Sequence, residues 1–215
     1  QGLGSFLSVL GDQELLLPEH QDPYLRTHPI SQERIQALQE HLTHSRFTGV
    51  KANAAAYEAH ARMKAKLDGF LKPIGRVLYD YPESDASTPA LIARAVAYHR
   101  DNRPEEADKL LATLLQRLPT DPYIWELQGQ VRFERGDNAA AMLAYDKAVS
   151  LAPEEPLIAI AYSQALVVSP EPASLQKAVQ LLERAVRIES EDGTAWRTLG
   201  TAYGRLDRLG EAALA

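Results

Sequence analysis

The amino-acid sequence predicts an all-α fold, a solenoid of stacked antiparallel helix pairs preceded by a short helical segment. Three observations predict it. The chain repeats itself with a period of 34 residues, the step from Leu91 to Trp125 and from Ala95 to Gly129. A capping side chain followed by proline marks helix starts, as in Asp121-Pro122 and Thr88-Pro89. Upstream of the repeats, apolar residues recur at helical rather than alternating spacing.

The elements follow in chain order. Gly2 to Glu14 reads as a short helix with Leu3, Phe6, Leu7 and Leu10 on one side. Leu15 to Pro29 carries three prolines and little periodicity, which predicts an ordered loop. Ser31 to His44 is a helix with Ile35, Leu38 and Leu42 along one stripe, and Asn53 to Leu71 a longer, alanine-rich one. The latter carries Tyr57, Met63, Leu67 and Phe70, and Pro73 kinks or ends it. Ile74 to Tyr81 forms another helix or turn before the loop from Pro82 to Ser87.

From Thr88 onward the repeats set the organisation. The first copy places Ala107, Leu111 and Pro119 where the second has Ala141, Tyr145 and Pro153. The third begins in register at Ala159 and Ser163. It then needs a three-residue insertion, placed in Ser169-Pro170-Glu171-Pro172, to align Ala178, Leu182 and Ala185. A fourth opens with Trp196-x-x-Leu199-Gly200-x-x-Tyr203 and reaches Ala212. Small residues let paired helices approach closely, Trp125, Tyr145 and Trp196 are expected to fill the gaps, and Pro119 and Pro153 stop the second helices.

This pattern resembles the tetratricopeptide (TPR) family over about Thr88 to Ala215. The fourth copy matches W-x2-L-G-x2-Y in full, and the second departs from the pattern at Gln128 and Arg132. The expected organisation is a helical segment over 1–50, a linker helix and connection over 51–87, and repeats over 88–121, 122–155, 156–192 and 193–215, the last incomplete. One helix pair cannot bury its apolar face alone, so the copies stack.

Composition narrows the function. Of 215 residues, 23 are basic and 29 acidic, a net charge of -6 that argues against a nucleic-acid partner. Cysteine is absent, which excludes disulfides, thiol catalysis and cysteine-ligated zinc. The apolar stretch from Leu157 to Val168 is too short to span a bilayer. No H-E-x-x-H, G-x-S-x-G, phosphate-cradling or dinucleotide motif occurs. His41 and His44 lie three apart on one helix but lack further ligands, so they read as solvated residues. No acid/base site, cofactor site or metal site can be assembled within the chain.

One upstream stretch carries a second resemblance. Thr27-His28-Pro29, followed by Arg34-Ile35, is similar to the T-H-P-x4-R-[IL] stretch of secreted bacterial H-E-x-x-H zinc metalloproteases of the CAAX-prenyl-protease-like family. The resemblance implies that residues 1–50 are the C-terminal remnant of a protease-like domain, whose zinc ligands would precede Gln1. It also implies that His28 lies near the zinc cleft and Arg34 anchors that loop. Zinc would belong to the parent protein, and a periplasmic or secreted location follows from the resemblance alone.

The expected function is therefore protein–protein interaction. The chain is either the client- or partner-docking scaffold of such a protease or a stand-alone TPR adaptor with no protease parent. The concave face, lined by the first helix of each repeat, is expected to hold an extended or helical polypeptide. Its exposed residues would be Arg100, Glu126, Gln130, Phe133, Glu134, Gln164, Arg197, Thr201 and Arg205, with Ile92, Val96 and Ile160 as apolar members. The protease domain expected upstream is the other possible occupant of that face.

Overall fold

The computed structural model describes residues 32–47, 50 and 53–215, and every regular element among them is a helix. The chain divides into two compact units, Gln1–Ala54 and Ala55–Ala215. The described part of the first is helix α1 (Gln32–His44) and the turn after it. The second holds α2 (Ala54–Leu71) and α3 (Ile74–Asp80), then the repeats. The repeat helices are α4 (Thr88–Arg100), α5 (Pro104–Arg117), α6 (Pro122–Glu134), α7 (Asn138–Leu151), α8 (Pro156–Val168), α9 (Pro172–Ile188), α10 (Gly193–Arg205) and α11 (Leu209–Ala212).

The four first helices, α4, α6, α8 and α10, are 13 residues each. Their starts are written locally. Asp121 accepts from the backbone N–H groups of Tyr123 and Ile124, and Asp192 from those of Thr194 and Ala195. At α4 the cap is Ser87, which accepts from Ala90, and Thr88 is already helical. Each such cap satisfies donors that a helix start leaves without partners, contributing about 1 kcal/mol. The ends are set as expected: α5 stops two residues before Pro119 and α7 two before Pro153.

The core lies between the paired helices and between successive pairs. Leu111, Leu114, Ile124, Leu127 and Val131 are fully buried in one cluster. A second cluster joins Tyr145, Tyr162, Leu182 and Leu199 across the last three repeats. Each large side chain removed from water contributes roughly 1.5–3 kcal/mol. Trp196 packs at the margin of the second cluster, whereas Trp125 belongs to neither. Both are partly exposed, and each indole N–H donates to a carbonyl of the preceding loop, Pro119 and Ser190 respectively, at 2.8 Å. An indole with a polar tip settles where that tip finds an acceptor.

The third repeat departs from the others for a stated reason. The turn between paired helices uses a left-handed residue at Asn102 (φ 55°), Gly136 (φ 81°) and Asp207 (φ 58°). Pro170 stands at that point in the third repeat, and proline cannot adopt positive φ. Ser169 before it is extended (ψ 140°). The three inserted residues lie not in the turn but at the start of α9, which runs 17 residues against 14 for α5 and α7. This extra turn brings Ala173 beside Met142, Leu143 and Leu166, walling a groove of about 510 Å³ between α7, α8 and α9.

Candidate polypeptide-docking face

What positions the first helices is the small residue each turns toward its partner: Ala95, Gly129, Ser163 and Gly200. A Cβ at Gly129 would come within 2.7 Å of the Tyr145 ring, so α6 lies closer to α7 than any side chain allows. Ser163 fits the same role because its hydroxyl donates to the Ala159 carbonyl at 2.8 Å and leaves no polar group unmet. The opposite faces of these helices form the predicted docking face.

At the first repeat that face is closed. α2 lies across α4, and a Cβ at Gly69 would be 2.8 Å from both the Ala93 carbonyl oxygen and Val96. Ile92 and Val96 are consequently buried, and Phe70 of α2 packs on their cluster. Arg100 donates to the Gly69 and Lys72 carbonyls at 3.0 Å each, closing the C-terminal end of α2. Arg205 makes the corresponding bond between the last two first helices, donating to the Val167 carbonyl at the end of α8. The segment predicted to be a linker thus serves as the terminal layer of the stack, the cap that a solenoid end requires.

The second repeat is partly engaged. Lys66 of α2 pairs with Glu126 at 2.7 Å, and Arg62 with Asp121 at 2.6 Å. Gln130 donates to Glu134 at 2.9 Å, and Glu134 meets His99 of α4 at 2.6 Å. Nδ1 of His99 is buried without a partner among the described residues. Phe133 packs at the edge of the cluster built by α8 and α9. Burial raises the Tyr145 hydroxyl well above its ordinary range, and the carboxylates of Glu126 and Glu134 add to the rise.

The third and fourth repeats are open. Leu157 and Val168 of α8 are both 59% exposed, while Ile160 between them is buried. Gln164 is partly exposed, and Arg197 and Thr201 are exposed. The Thr201 hydroxyl donates to the Arg197 backbone carbonyl at 2.8 Å, and the Arg197 guanidinium has no carboxylate partner among the described residues. Behind this face, burial and a hydrogen bond to Glu183 raise Tyr203 to about 12.

Of the nine residues predicted for the groove, Arg197, Thr201 and Arg205 are exposed and Gln164 partly so, while Arg100, Glu126, Gln130, Glu134 and Arg205 make intramolecular hydrogen bonds and Phe133 packs on the core. Sequence reasoning missed the α2 contacts and the buried Arg94, which donates to the Tyr81 carbonyl at 3.1 Å and also to that of Pro82. A signal existed: Gly69, alone in an alanine-rich helix, with Arg62 and Lys66 one turn apart. Thr27, His28 and Pro29 lie outside the described residues, and Arg34 falls in the first turn of α1. Among the described residues no group of histidines and carboxylates is arranged to hold a metal, and no helix is long and apolar enough to cross a membrane.

Residues 80–215 match the family described as the cytochrome c-type biogenesis protein H TPR domain. The cytochrome c-type biogenesis protein CcmH of Escherichia coli is 30% identical over 139 residues, 63% of this chain and 40% of that protein. The Shigella flexneri protein of the same description matches to the same extent. The chain thus spans about two-fifths of the length of these relatives. The crystal structure of MamA shares the fold with a TM-score of 0.52 at 18% identity, over 77% of this chain and 91% of MamA. Yeast Tom70 does so with a TM-score of 0.58 at 15% identity, over 90% of this chain and 45% of Tom70. These findings overturn the expectation of a zinc-metalloprotease fragment. That reading rested on a stretch of five residues upstream of the repeats, whereas the match to a different family runs through all four copies.

Proposed function

The chain belongs to the cytochrome c-type biogenesis protein H TPR family, and from that premise we propose that it is the polypeptide-docking module of a protein acting in cytochrome c biogenesis. The observation that carries the reading is the open first-helix face of α8 and α10, where Leu157, Gln164, Val168, Arg197 and Thr201 are at least partly exposed. Such a face offers apolar contact and hydrogen bonds without a catalytic group, which suits it to holding another chain. The first repeat contributes structure rather than contact, because α2 already covers it. A periplasmic location is part of the same proposal and rests on the likeness to the biogenesis proteins.

A photo-crosslinking residue placed at Gln164 or at Gln180 tests this in living bacteria. Gln180 is exposed on α9, outside the first-helix set. Adducts formed from Gln164 with proteins of cytochrome c biogenesis, and none from Gln180, are expected. Adducts from Gln180 alone, or adducts from Gln164 only with unrelated proteins, would contradict the reading.

A further inference from the structure

We propose that the face formed by α8 and α10 selects an acidic, amphipathic segment of a partner polypeptide. The inference rests on the docking role proposed above and adds the chemistry of what is docked. Its basis is a contrast in charge. α8 contains no aspartate, glutamate, lysine or arginine in its 13 residues, and α10 contains only Arg197 and Arg205 in its own 13. In a chain of net charge -6, these two helices carry two cations and no anion between their caps.

The other end of the same face shows the complementary arrangement already filled. There Asp121, which caps α6, and Glu126 within it are paired with Arg62 and Lys66 of α2. Between these layers of the stack, exposed-face carboxylates are thus matched by cations of another helix. At α8 and α10 the wall is basic, so the matching segment is acidic.

Geometry sets the spacing. Arg197 and Arg205 are eight residues apart on one helix, about 12 Å along its axis at 1.5 Å per residue. A docked helix aligned with α10 would meet both with carboxylates seven or eight residues apart. Its apolar side would rest on Leu157 and Val168, the exposed aliphatic residues of α8. Arg205 donates one N–H to the Val167 carbonyl and keeps the rest of its planar fork for a carboxylate. Arg197 has no ion-pair partner among the described residues, so an incoming carboxylate displaces no internal salt bridge there.

Two synthetic helical peptides of equal length, one with glutamates seven apart beside a leucine stripe and one with lysines in their place, are titrated into the protein by fluorescence anisotropy. The glutamate peptide is expected to bind at least tenfold more tightly, with the difference shrinking as salt rises. Arg197→Glu should reverse the preference while leaving the melting temperature unchanged, and adding Arg205→Glu should strengthen the reversal. Equal binding of both peptides, binding of neither, or an unchanged preference in Arg197→Glu would overturn the proposal. The docking reading is judged separately by the Gln164 crosslinks: if Arg197→Glu retains them and the peptide preference, docking on this face stands and selection by charge does not.

Discussion

The first helix of the first repeat and the first helix of the last are the same element in two surroundings. In α4 every residue from Ala90 to Tyr98 is buried, even Arg94, whose guanidinium is met by two carbonyls of the loop before it. In α10 the buried residues are Ala195, Thr198, Leu199, Ala202 and Tyr203, with Arg197 and Thr201 facing out. Repeat register predicts that equivalent positions are equally exposed. The difference comes from what is stacked on top. α2 and α3 cover α4, so the first repeat is an interior layer and the proposed docking face begins beyond it.

The two glycines of equivalent position give the largest way to break this comparison. Gly129→Ala forces a Cβ within 2.9 Å of three atoms of the buried Tyr145 ring and should destabilise the protein by about 1–3 kcal/mol. Gly200→Ala meets the Ala212 carbonyl oxygen at 3.5 Å, an ordinary contact, and should be neutral or stabilise by up to about 1 kcal/mol through helix propensity. Denaturant titration of both variants tests the pair, and equal losses would mean that the helix pairs are equally tight at both ends.

Next in size is the cap itself. Gly69→Leu cannot be accommodated against the Ala93 carbonyl and Val96, so α2 should lift. Faster hydrogen exchange in α4, with α8 and α10 unchanged, is the expected sign. Uniform loss of protection would show that α2 is an integral part of one cooperative core instead.

A smaller effect concerns how α3 is tied to α2. Burial would raise the Asp68 carboxyl, but hydrogen bonds from Lys64, Tyr81 and Lys72 outweigh it and lower it from 3.8 to about 2. A carboxyl depressed in the folded state stabilises above its unfolded value and loses that contribution as pH falls. Stability should therefore drop between about pH 4 and pH 2 in the native chain, and Asp68→Asn should flatten that part of the acid melt. The smallest effect is expected at the open face, where Arg197→Ala should change stability by no more than about 0.5 kcal/mol.

Most of the fold was legible in the sequence because its causes are local. A capping aspartate, a proline in the first turn and a small residue at constant spacing each act within a few residues, and all recur at Asp121, Pro122 and Gly129. Pro170 likewise announced that the third repeat would differ, though not that the extra residues would lengthen α9. What stayed hidden depends on contacts between distant segments. Arg100 and Glu126 read as exposed groove residues, yet their partners are the α2 residues Gly69 and Lys66, about 30 and 60 positions away. No repeat pattern specifies such partners, because α2 is not part of the repeat. The protease resemblance failed because it rested on five residues outside the repeats, while the four copies carry the match to a different family.

The most direct test of the account is amide hydrogen exchange with and without the glutamate peptide bound. Slower exchange confined to α8 and α10, with α4 already protected in the free protein, is the predicted result. Protection appearing in α4 together with release of α2, or on α7 and α9 rather than the first helices, would contradict it.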